Sequence, residues 1–187
     1  MPRVLTGDEY AVVKRLKSQR IFLKLNDSVA MEKIGSSEGI VATACADDHT
    51  DMIRHLRNAL HTEVIHPVRV FGGPLVFVPS YGDHCKEACA WLLNNIIQGM
   101  RAKDADCLVL FEHGPCAMLD EYGHSIEDAV RWIIEIEDFF FSIDFFKDKK
   151  IIFLFHVKRK NKAGAIEQNT YMVDTGSLRS FLKQTKL

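Results

Sequence analysis

Apolar positions along the chain fall into two alternating rhythms. Ile40–Ala44, Val64–Phe71, Cys107–Phe111 and Ile151–Phe155 are short apolar runs rich in branched or aromatic side chains. Runs of that length, bounded by turn residues, predict buried strands. Gly35–Gly39 precedes the first run, and Gly72-Gly73-Pro74 ends the second. Between the runs, apolar residues recur every three or four positions, the period of a helix with one buried face. Thr6-Gly7-Asp8-Glu9 has the capping-box pattern, with Val12, Val13 and Leu16 behind it, which predicts a helix to about Arg20. A second helix starts near Thr50, with Met52, Ile53, Leu56, Ala59 and Leu60 on one face. A long helix from about Asp83 to Met100 turns Ala88, Cys89, Leu92 and Ile96 inward, and another spans about Ser125 to Phe141. Thr170–Val173 adds an edge strand, and Leu178, Phe181 and Leu182 imply a short closing helix.

Strands that alternate with helices form βαβ units with right-handed crossovers. The expected fold class is therefore α/β: a mainly parallel central sheet with flanking helices. We expect a single domain over 1–187, with an N-terminal helical segment over about 1–35. No internal repeat or linker interrupts the pattern. In such sheets ligands sit beyond the carboxyl ends of the strands.

Composition narrows the function. The chain has 187 residues and a formal net charge of -1. That balance argues against a nucleic-acid binder, which needs a basic surplus. The run Lys158-Arg159-Lys160-Asn161-Lys162 is local and reads as a solvated turn. No stretch of 18 apolar residues exists, so no membrane span is expected. Met1–Leu5 lacks the apolar segment of a signal peptide, and the expected compartment is cytoplasmic. Five cysteines, an odd count, favour reduced thiols or metal ligands over disulfides.

The chemistry concentrates at two strand ends. Cys45-Ala46-Asp47-Asp48-His49 follows the first run, and His113-Gly114-Pro115-Cys116 follows the third. Neighbouring parallel strands lie about 5 Å apart, so both ends can aim at one ion. Two thiolates and one imidazole suit Zn2+, with the fourth tetrahedral position left for water or an acid. The predicted metal ligands are Cys45, His113 and Cys116. Each residue taken singly also fits a packing role, since free cysteine is commonly buried for packing alone.

The pair of motifs resembles the β-class carbonic anhydrase signature, a Cys-x-Asp-x-Arg motif followed by His-x-x-Cys. Leu108–Met118 is similar to that family's apolar strand and the segment that follows it, and the matched core runs from about Ile40 to Met118. The resemblance implies a β-carbonic-anhydrase-like fold. It also implies a zinc lyase that hydrates carbon dioxide reversibly to bicarbonate, and a homodimer or higher homo-oligomer. Within it, Asp47 orients the attacking water and His49, Asp48 or buffer takes the proton.

Three positions depart from the family pattern. His49 replaces the motif Arg, Glu112 stands where Gly is usual, and Ala117 replaces the Gly after the second Cys. Without the Arg, Asp47 either swings inward as a fourth ligand and closes the site, or is held by a protonated His49. A histidine loses its charge near neutral pH, whereas Arg does not. The alternatives to a carbon dioxide lyase are therefore a non-catalytic zinc protein of the same fold and a hydrolase of carbonyl sulfide or carbon disulfide. A nucleotide-binding protein is a further class, disfavoured because no glycine-rich turn follows the first strand.

The remaining candidates read as structure. His84, Cys85 and Cys89 belong to the long helix, and Cys107 opens a buried strand. Phe71–Pro74 is a turn that can line the pocket. His55, His61, His66, His124 and His156 are scattered and read as surface or satisfied histidines, and the aromatic run from Trp132 to Phe146 reads as core helix plus a following turn, with a subunit interface as the alternative.

Overall fold

The computed structural model describes residues 4–25, 30, 32, 39–46, 54, 56–58, 64–79 and 86–184. In chain order these form α1 (Gly7–Ser18), β1 (Phe22–Lys24), β2 (Ile40–Cys45), β3 (Ile65–Val70), a 3-10 turn (Gly73–Phe77), α2 (Lys86–Lys103), β4 (Cys107–Gly114), α3 (Ala117–Glu121), α4 (Ile126–Phe141), β5 (Lys150–Lys160), β6 (Ile166–Val173) and α5 (Thr175–Gln184). The protein is α/β, with one six-stranded mixed sheet in the order β1-β6-β5-β4-β2-β3. Strands β3, β2, β4 and β5 are parallel, and β6 and β1 continue the sheet antiparallel.

Local signals start the helices as the residue pattern predicts. The Thr6 hydroxyl accepts from the Glu9 N–H, and the Glu9 carboxylate accepts from the Thr6 N–H at 2.7 Å. Ser125 and Asp128 repeat this box at the start of α4. Each cap satisfies N–H groups that have no partner within the helix, and is worth about 1 kcal/mol.

The sheet has two unequal faces. Val41, Cys45, Leu108, Leu110, Phe153, Phe155 and Val157 face the larger core, shared with Leu92 and Ile96 of α2 and with Ile133, Ile136 and Phe140 of α4. Phe140 sits edge-on to Phe77 at 4.8 Å and to Phe146 at 4.9 Å between ring centroids. The opposite face is smaller in bulk: Ile40, Ala42, Ala44, Cys107, Val109, Phe111, Ile152, Leu154 and Met172, capped by Ala30 and Leu56.

Several boundaries differ from expectation. Strand β4 runs to Gly114 rather than Phe111, because Glu112 and His113 are buried and pair with Phe155 and His156 of β5. Strand β5 runs to Lys160, so the basic run is not a solvated turn throughout. Arg159 ion-pairs with Glu167 across the hairpin and lies over the Tyr10 ring at 4.4 Å. The turn starts only at Asn161, whose side-chain oxygen accepts from the N–H groups of Ala163 and Ala165. Strand β6 is longer than Thr170–Val173 and is not an edge, because β1 pairs with it; β1 is too short to show an alternating pattern. Helix α2 extends to Lys103, and its expected start at Asp83 lies outside the described residues. Arg54 and 56–58 are helical, whereas Thr50, Met52, Ile53, Ala59 and Leu60 also lie outside. Among the described residues, no helix is long and apolar enough to cross a membrane.

Candidate metal centre

The parallel register pairs Ala44 with Phe111, which sets the ends of β2 and β4 side by side. Side chains alternate along a strand. Cys45 therefore belongs to the helix-covered face with Val41, while His113 follows Phe111 on the opposite face. Two groups on opposite faces can meet only where a strand ends and the backbone no longer separates them. Cys116 closes the set from the N-cap position of α3, after a cis Gly114–Pro115 bond.

The ligand atoms of Cys45, His113 and Cys116 all lie within 4.8 Å of one another. The three residues are 0%, 5% and 1% exposed. In a tetrahedral site with Zn–S bonds of about 2.3 Å, two sulfurs stand about 3.8 Å apart. A small inward movement of the side chains reaches that spacing, so the donor set fits a divalent cation in both chemistry and reach. A bound metal ion would supply the charge that compensates two buried thiolates.

The surroundings are shaped around Cys45. The Gly72 N–H donates to its sulfur at 3.3 Å, a contact suited to a metal-bound thiolate. Gly73 has φ +54, and a Cβ there would lie 2.6 Å from the Cys45 backbone nitrogen. Only glycine lets this turn approach so closely. The expectation that Phe71–Pro74 lines the site thus acquires a specific contact, one visible in the sequence only as a pair of glycines. Gly114 is similarly tight: a Cβ would stand 3.0 Å from Ile126 Cδ1 and 3.3 Å from Phe155 Cε1.

Of the predicted site residues, Cys45, His113 and Cys116 are brought together. Asp47 and His49 lie outside the described residues, as do Asp48, His84, Cys85, His55 and His61. Cys107 is fully buried at the start of β4, and Cys89 packs partly buried against the core. Glu112 is 1% exposed on the face opposite to His113. His124 packs edge-on to Trp132 at 4.7 Å. Among the scattered histidines, His156 is buried on β5 in register with His113 and hydrogen-bonded to the Thr170 hydroxyl, outside the ligand cluster.

The fold and the cluster together define an α/β protein with a buried Cys-His-Cys set, able to hold a metal ion, at the carboxyl edge of its parallel strands. No family model matches the chain, and no curated protein or solved structure matches it significantly.

Proposed function

We propose that this protein is a zinc-dependent, β-carbonic-anhydrase-like lyase that hydrates carbon dioxide reversibly to bicarbonate. The observation that carries the reading is the convergence of Cys45, His113 and Cys116 at the sheet's carboxyl rim. The motif spacing that resembles the family supports it. Zn2+ held by these three residues would act as a Lewis acid that makes water a nucleophile near neutral pH.

The chain's own groups supply the rest. Cys45 and Cys116 offset the ion's charge, and the Gly72 N–H steadies one of the sulfurs. Phe111, Met118 and Leu119 flank His113 and Cys116 in sequence and are buried, which supports an apolar setting of the kind that an apolar gas prefers. The resemblance assigns Asp47 to accept a hydrogen bond from the attacking water and His49 to steady Asp47 or carry the proton away. It also implies a homodimer or higher homo-oligomer and cytoplasmic residence. The same site chemistry extends to carbonyl sulfide and carbon disulfide.

A second reading, a non-catalytic zinc protein, is favoured by one feature: His49 stands where the family pattern has Arg. Zinc quantification and stopped-flow hydration between pH 7 and 9 separate the two. The proposal expects one zinc per chain and a rate above the buffer background. Zinc-loaded protein with no such rate overturns it, and a large gain on His49→Arg would then identify an impaired site.

A further inference from the structure

A row of polar side chains crosses three strands beside the candidate metal centre. His113 on β4 is the register partner of His156 on β5, and His156 is the partner of Thr170 on β6. Register partners point to the same face, and parallel neighbours lie about 4.8 Å apart. His156 is 2% exposed, and its Nδ1 is 2.8 Å from the Thr170 hydroxyl oxygen. Its ring also stacks on Phe111 at 6.0 Å, with an interplanar angle of 23°. Phe111 precedes His113 by two residues on the same face, so the His156 ring is fixed along one side by a hydrogen bond and along another by an aromatic plane. A hydroxyl can donate or accept, so Thr170 serves either neutral tautomer of the imidazole. His156 is not one of the clustered ligand residues.

We infer that His156, anchored by Thr170, is a positioning residue for His113: it forms the lateral wall that holds the His113 imidazole in its metal-binding orientation. The inference rests on the metal-site reading of the same cluster and adds an outer layer to it. A ligand whose rotamer is fixed in advance loses less freedom on binding, and the outer partners of metal-ligating histidines change affinity by about 10- to 100-fold when removed. Nothing in the row depends on a change of protonation. The half-buried Thr170 hydroxyl is the pin, His156 is the wall, and His113 is the group held.

Thr170→Val removes the hydroxyl while keeping the side chain's shape, and Thr170→Ser restores it. Three readouts on the full-length protein test the row: zinc affinity by chelator competition, the absorption spectrum of the Co2+ form, and the His113 ring signal in NMR spectra of the metal-free protein. Thr170→Val should weaken zinc about tenfold, shift the Co2+ spectrum and broaden or split the His113 ring signal. Thr170→Ser should stay within about twofold of the parent and keep its spectra. His156→Phe, which keeps a ring but cannot bond to Thr170, should behave like Thr170→Val and guards against a folding defect in one variant. Parental affinity and an unchanged His113 signal in folded Thr170→Val would overturn the inference. If the parent binds neither zinc nor Co2+, the metal-site reading fails by itself, and the ring signal still decides: unchanged in both variants overturns the positioning role, broadened in both supports it.

Discussion

The two faces of the sheet are built for different tasks. The face that packs against α2 and α4 is filled with large rings: Phe77, Phe140, Phe146, Phe153 and Phe155 are buried. The opposite face carries Ala42, Ala44 and Val109 in its middle and ends in a polar row at His113 and His156. Fully burying each of these phenylalanine rings contributes about 1.5–3 kcal/mol. The second face contributes less bulk but carries the imidazole of the candidate site. Cys45 belongs to the first face and His113 to the second, so the candidate metal centre is the place where the two faces meet. Cys116 also packs in the first core, so bulk packing is concentrated on one side of the sheet and the candidate site lies at its rim.

That separation can be broken from either side. Phe140→Ala should cost about 3–5 kcal/mol in denaturant unfolding, because it opens a cavity among packed rings. The remaining folded protein should keep its zinc affinity; a parallel loss of affinity would mean that the faces are not separable. Cys116→Ser should weaken zinc by more than about 100-fold, since loss of a ligand exceeds loss of an outer partner, with the secondary structure retained in circular dichroism. Gly73→Ala should fall between these two and touch both properties. A positive φ and a 2.6 Å approach to the Cys45 nitrogen put strain on any side chain there. We expect about 1–3 kcal/mol less stability and weaker zinc binding, both measurable in a chelator-controlled thermal melt.

The smallest effects belong to the cap of α4. Ser125→Ala should cost about 1 kcal/mol and leave the metal untouched. Burial raises the Asp128 carboxyl's pKa, but hydrogen bonds from the Ser125 N–H and hydroxyl, with His124 and Arg131 nearby, outweigh it and hold the pKa below the ordinary value. A carboxylate lowered in the folded state stabilises above its unfolded pKa, and that contribution disappears as pH falls through the folded value. Asp128→Asn should therefore lower stability near pH 7, and the difference from the parent should shrink as pH falls below about 4. A difference that is constant from pH 7 to 2 would contradict the cap assignment.

Much of the architecture was legible because fully buried strands are continuous apolar runs. Ile40–Ala44, Cys107–Phe111 and Ile151–Phe155 declare themselves that way, and one box marks the start of α1, whereas the Ser125–Asp128 box of α4 emerged only in the structure. The strand ends were not legible, because burial there falls on polar residues. Glu112 and His113 continue β4 through distant partners on β5, and Lys158–Lys160 continue β5 through the hairpin with β6. The three ligand candidates could be read because each follows an apolar run and two share a tight turn. The place of His156 beside His113 could not, since it follows only from register with β4 and β6. Gly72 and Gly73 announced a turn but not that its backbone rests on Cys45.

The central claim is that two sulfurs and one imidazole from both faces of the sheet hold a single divalent cation. X-ray absorption at the zinc edge of stoichiometrically loaded protein tests it most directly. The account predicts two sulfur neighbours at about 2.3 Å and nitrogen or oxygen neighbours at about 2.0–2.1 Å. A shell of nitrogen and oxygen alone, or protein that retains no zinc after exposure to an excess, would contradict it.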